Sequence, residues 1–167
     1  MPAFQKEWIA SRVALVLAAI VLIMMLFACT SSSESRTEGF RGMKWGSALK
    51  DPSQFEPLAE EGDLKFYRKK GEDLKVEDVK VENIVYGFYK NRFYNVMVYY
   101  ASPENFQRLK EILSRWYGNP VEPEQGVKKY FWNVDLLNVL LDYNDAAGSG
   151  RISYFFRPIQ TEIEVSR

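Results

Sequence analysis

Histidine is absent from all 167 residues, and cysteine occurs once, at position 29. A Ser-His-Asp or Cys-His catalytic set therefore has no imidazole base. A zinc site of the usual nitrogen and sulfur ligands lacks its donors, and no disulfide can close within the chain, so the core is held by burial alone. The chemistry left open is carboxylate acid–base catalysis, a lysine or serine nucleophile, or an all-oxygen calcium site. An excess of either charge is also missing, with 22 basic against 22 acidic residues. Nucleic-acid readers generally carry a basic stripe, so nucleic acid is excluded as a partner.

What the chain does have is an uninterrupted apolar run, Val13 to Ala28, preceded by Lys6 and Arg12 and ended by Leu26-Phe27-Ala28-Cys29. A short basic segment, an apolar segment and a small residue before a cleavage point are the three parts of a secretory signal. The tetrapeptide resembles a bacterial lipobox, with Phe27 bulkier than the residue usual at its place. The resemblance implies that residues 1–28 are a signal peptide and that Cys29 becomes the lipidated first residue of the mature protein. The alternative is an uncleaved single-pass anchor in the inner membrane, since about 20 apolar residues span a bilayer core.

Either way the basic residues precede the apolar run, which puts the amino terminus in the cytoplasm and residues 30–167 outside it. Removing Lys6, Arg12 and Glu7 from the totals leaves a charge of about −1. Thr30 stands where an Asp would, in the lipoproteins this resembles, retain the protein at the inner membrane. The implied address is the outer membrane, facing the periplasm, with the membrane itself as a partner through lipid on Cys29. Residues 29–39, rich in Ser, Thr and charge, read as a flexible tether. A globular domain is expected over 40–160 and a tail over 161–167.

Within the domain, Ser102 to Gly118 predicts a helix. Ser102 suits the cap, Pro103 the first turn and Gly118 the stop, while Phe106, Leu109, Ile112, Leu113 and Trp116 form one apolar stripe. Asn83–Tyr89 and Arg92–Tyr100, separated by Lys90-Asn91, predict a hairpin. Strands are also expected at Leu64–Arg68, Lys128–Trp132, Leu136–Tyr143 and Arg151–Arg157, and a short or kinked helix within Ser47–Glu60. The expected fold is α+β, a single antiparallel sheet of about six strands with one long helix on one face, and a possible αβββ duplication.

Pairing Tyr89 with Arg92 puts Val85, Gly87, Tyr94, Val96 and Val98 on one face of the hairpin and Ile84, Tyr86, Phe88, Phe93, Met97 and Tyr99 on the other. Both faces are apolar, where a half-solvated hairpin should alternate with polar residues. The domain covers both faces, or one aromatic face meets a partner. On the second reading Tyr86, Phe88, Phe93 and Tyr99 are the candidate partner-binding residues, because aromatics bury large area at little rotamer cost.

Other candidate chemistry has a plainer explanation. Asp142, Asn144, Asp145 and Gly148 suggest a calcium loop, but Ala146, Ala147 and Ser153 stand where ligands or the central Gly belong, which favours a polar turn and no metal site. Gly148-Ser149-Gly150 lacks the remainder of a phosphate-binding loop, and no cofactor is expected. Glu60, Glu61, Asp63, Glu72 and Asp73 could supply a catalytic pair only if one were buried, and turn positions favour exposure. Lys65, Arg68, Lys69 and Lys70 form a basic run suited to acidic lipid head groups or cell-wall carboxylates, or simply to protecting a strand edge.

Phe40-Arg41-Gly42-Met43-Lys44-Trp45-Gly46, then Tyr86-Gly87-Phe88, Tyr117-Gly118-Asn119-Pro120 and Trp132, together resemble a group of small, uncharacterised bacterial cell-envelope lipoproteins. Trp45-Gly46-Ser47 is also similar to the opening of lipoproteins related to the β-barrel assembly accessory family, and of inhibitor proteins of similar layout. Neither resemblance supplies catalytic residues. The expected function is a membrane-tethered, non-enzymatic binding or scaffold lipoprotein that engages an envelope protein. The alternatives are a carboxylate-based hydrolase acting on envelope polymers and a structural spacer.

Overall fold

Residues 34–121 and 126–166 are described by the structure, a computed structural model, and the chain divides into two compact units, Met1–Arg36 and Thr37–Arg167. Cys29 and the expected signal lie outside the described residues. In chain order the elements are helix α1 (Glu34–Glu38), β1 (Gly39–Phe40), β2 (Met43–Lys44), a 3-10 turn (Pro52–Gln54), β3 (Phe55–Glu61) and β4 (Leu64–Lys69). They continue with β5 (Lys75–Val76), β6 (Val79–Lys80), β7 (Asn83–Tyr89), β8 (Arg92–Ala101) and α2 (Pro103–Tyr117). The last four are β9 (Lys129–Val134), β10 (Leu137–Asn144), β11 (Ser149–Phe156) and α3 (Arg157–Val165). No helix among the described residues is long and apolar enough to cross a membrane.

The fold is α+β, built on a seven-stranded antiparallel sheet in the order β3-β4-β7-β8-β11-β10-β9, with two small hairpins, β1–β2 and β5–β6, beside it. Lys90 and Asn91 both take positive φ, 48° and 59°, the geometry of a two-residue turn whose twist matches its strands. Tyr89 pairs with Arg92 as the spacing requires. The ladder then slips between Gly87 and Phe88, so that Phe88 faces Phe93 while Gly87 faces Asn95. This bulge shifts every later side chain of β8 by one face. Ile84, Tyr86, Phe88, Phe93, Val96, Val98 and Tyr100 therefore share the main core, which corrects the assignment of Val96 and Val98 to the opposite face.

Helix α2 lies over that core face. Its Ser102 cap accepts a hydrogen bond from the Asn105 amide at 3.3 Å, Gly118 ends it at φ 84°, and Phe106, Leu109, Ile112 and Leu113 are buried. The turn between β5 and β6 is fastened to it by a two-pronged contact of Arg108 with Asp78 and by Arg115 and Trp116 on Glu77. The indole of Trp132 donates to the Gly118 carbonyl at 2.8 Å, so the helix stop and the aromatic strand β9 are parts of one contact. Trp45 stacks on Phe93 with ring centroids 4.5 Å apart, while the Gly46 amide donates to the Phe93 carbonyl and the Phe93 amide to that of Ser47. The Trp45-Gly46-Ser47 signature is thus a structural seam against the start of β8.

One segment departs from its sequence expectation. Ser47–Glu60 holds no α-helix: Asp51 caps one 3-10 turn through its side chain, and Phe55 to Glu61 pair with β4 instead. Pro57 is tolerated because β3 is an edge strand that bulges between Pro57 and Ala59. Without that helix the two halves do not repeat as αβββ. Glu34–Glu38, within the expected tether, form α1, and α3 runs into the expected tail, with Ile159 and Ile163 packed on Tyr89 and Tyr94 over the second face of the sheet.

Candidate functional site

The structure separates the four aromatic candidates. Tyr86 and Phe88 are 1 % exposed and Phe93 is fully buried, so these three belong to the core and cannot meet a partner while the domain is folded. Tyr99 lies on the second face, half-buried between Arg151 and Asn83 in the register. The bulge that sends Val96 and Val98 inward turns Tyr99 outward. Along that face Phe131, Leu140, Ser153, Met97 and Val85 form one row across five strands.

The carboxylates are dispersed as well. Glu60, Glu61, Asp63 and Asp73 are exposed. Glu61 and Asp63 line a hollow of about 200 Å³ with Leu64, Tyr89, Ile163 and Ser166. Glu72 departs from the turn expectation, since its side chain is only 6 % exposed and sits 2.9 Å from the Arg41 guanidinium. It also accepts a hydrogen bond from the Tyr86 hydroxyl. Burial, and then the Glu72 carboxylate, raise the Tyr86 pKa well above the usual phenol range, which keeps the hydroxyl a donor. Arg41 also donates to the Asp73 and Lys75 carbonyls. This cluster ties the loop before β5 to the turn between β1 and β2.

The Asn144–Ser149 turn is held by Asn144 and by a Lys128–Asp145 ion pair at 2.5 Å. Asp142 lies instead opposite Arg151 at 3.8 Å. Among the described residues no group of three or more acidic or cysteine side chains is placed to hold a metal ion. The basic run is split by strand alternation and local pairing. Lys65 pairs with Glu60 at 3.0 Å, Arg68 with Glu56 at 3.7 Å, and Lys70 donates to the Ser53 carbonyl at 2.9 Å.

Lys69 turns to a different neighbourhood. With Lys44 and Lys50 it lines a groove of about 470 Å³, with Met43, Leu49 and Phe55 among its apolar surfaces. That volume falls in the range of small-molecule sites. No ion pair joins any of the three lysines to another described residue. The one acid in the lining, Asp51, accepts hydrogen bonds from the Ser53 amide and hydroxyl and from Gln54. Those contacts, the Ser53 hydroxyl foremost, hold its pKa below the usual carboxylate value. Arg41 also borders the groove, but its guanidinium is committed to Glu72 and two carbonyls. The result is a positively charged rim on an apolar surface.

Sequence reasoning found Lys69 but not its companions. Lys44 and Lys50 lie far from it in sequence and reach it only because Phe55 pairs with Lys69. No protein-family model, curated protein or solved structure matches the chain.

Proposed function

We propose that this chain is a membrane-tethered, non-enzymatic binding or scaffold lipoprotein of the bacterial cell envelope, fastened through lipid on Cys29 at the periplasmic side of the outer membrane. The groove bordered by Lys44, Lys50 and Lys69 is its binding element. The observation that carries this reading is the meeting of three lysines, none of them ion-paired with another described residue, around one groove with apolar surfaces. Positive charge bordering a cavity of ligand size is what a site for an anionic group requires. The sequence of residues 1–29, with its resemblance to an export signal ending in a lipobox, supports the placement.

A hydrolase is less well supported. Two carboxyl groups flanking a cleft, one buried enough to hold its proton, would be needed. Glu61 and Asp63 share a hollow but are both exposed, and the buried Glu72 is neutralised by Arg41.

A photo-reactive phenylalanine analogue at Leu49, inside the groove, tests the binding element in living cells. Irradiation should give an adduct in the envelope fraction from Leu49 and none from Glu111 on the exposed side of α2. The same yield at both positions would remove the groove from the reading.

A further inference from the structure

We infer that the groove takes the phosphate-bearing headgroup of an anionic phospholipid, a specification that rests on the groove being the binding element. Its free cationic groups are ammonium groups: Lys44 and Lys50 are exposed, Lys69 is half-buried, and Arg41 is already engaged by Glu72, while the one lining carboxylate, Asp51, is taken up by Ser53 and Gln54. Ammonium groups act as point charges that can donate to a phosphate from many directions, without the fixed fork by which a guanidinium takes a carboxylate or a phosphate two-pronged. Met43, Leu49 and Phe55 supply apolar surface between the charges. A ligand charged throughout would leave that surface idle, while a headgroup joined to glycerol and acyl carbons covers both kinds of surface.

The walls are preorganised. Gly46 and Ser47 are pinned to Phe93, Asp51 is locked to Ser53 and Gln54, and Lys70 closes on the Ser53 carbonyl at 2.9 Å. A fixed groove loses little entropy when it is filled. Location favours lipid over a soluble anion. Arg41 follows Cys29 by only 12 residues in the sequence, so on the proposed lipidation a short stretch of chain joins the groove's segment to the membrane. Lysines held near an anionic leaflet each add to its attraction.

Methyl-carbon NMR of methionine-labelled full-length protein in uncharged maltoside micelles provides the test. Met43 reports on the groove, and Met97 on the far face serves as an internal reference. Dihexanoyl phosphatidylglycerol should move the Met43 signal and leave Met97 in place, while dihexanoyl phosphatidylcholine at equal concentration moves neither. The Lys44→Gln/Lys50→Gln/Lys69→Gln variant, with an unchanged Met97 signal, should bind phosphatidylglycerol about tenfold more weakly or worse. A Lys75→Gln/Lys80→Gln control should bind as the native chain does. Equal response to phosphatidylcholine, full binding by the triple variant, or inorganic phosphate binding as tightly as phosphatidylglycerol would each overturn the lipid assignment. A protein adduct at Leu49 together with a silent Met43 would overturn the lipid and leave the binding element standing; no adduct at Leu49 would remove that element itself.

Discussion

Gly87 lies opposite Asn95 across the β7–β8 bulge, so closely that a Cβ added to Gly87 would sit 3.0 Å from the Asn95 Cβ and 3.2 Å from Cε1 of Phe66. Asn95 cannot swing aside, because it is buried and its amide donates to the Tyr154 carbonyl at 2.9 Å. Gly87→Ala should therefore destabilise the domain by about 1–3 kcal/mol. Urea melts of the two full-length proteins in the same detergent measure it, and an unchanged midpoint would show that the bulge yields freely.

The division of the aromatics has its own test. Phe93→Ala removes a ring packed on Trp45, Tyr86 and Phe88 and should cost about 3–5 kcal/mol. Tyr99→Ala, on the half-exposed second face, should cost under about 1.5 kcal/mol, since only part of the ring leaves contact. The same melts check both, and equal losses would show that the second face is packed as tightly as the first.

Three tyrosines, Tyr86, Tyr100 and Tyr154, have pKa values raised by burial. A raised folded value means that the folded state holds the proton more tightly. The associated stability is complete below the unfolded tyrosine value of about 10 and is lost as pH rises above it. Of the ten tyrosines, these three should ionise only as the domain unfolds. An ultraviolet titration should show a delayed step coinciding with loss of near-ultraviolet circular dichroism. Smooth ionisation of all ten with the fold intact would contradict the burial of these hydroxyls.

Asp142 moves in the direction opposite to an ordinary ion-paired acid. Burial raises its pKa against the pull of Arg151 and Lys129, so its protonated form is favoured in the fold, and stability falls as pH rises from the unfolded value of about 3.9 through the folded one. Asp142→Asn should match the native protein at low pH and be the more stable of the two at pH 7. Thermal melts across that range check the sign, and a variant less stable at pH 7 would make the Arg151 contact dominant.

The elements legible in the sequence were those whose signals are local. The α2 stripe, its Ser102 and Gly118 ends and the Lys90-Asn91 turn all lie within one window of residues. The bulge was not legible, because only the close approach of Gly87 to Asn95 reveals it, and a one-residue slip exchanges the faces of everything beyond. Ser47–Glu60 misled for a related reason: pairing of Phe55–Glu61 with β4 overrode the local reading of a proline-broken helix. The groove escaped because its lysines come from two segments joined only by that pairing. Arg41 and Glu72, 31 positions apart in sequence, became partners by the same long-range route.

Attachment through Cys29 is the claim on which the proposed placement depends. Metabolic labelling with palmitate, followed by mass analysis of the amino-terminal peptide, tests it most directly. The native chain should take up label and begin at Cys29, while Cys29→Ala takes up none. Equal labelling of the two proteins, with Met1 retained in the native one, would contradict it.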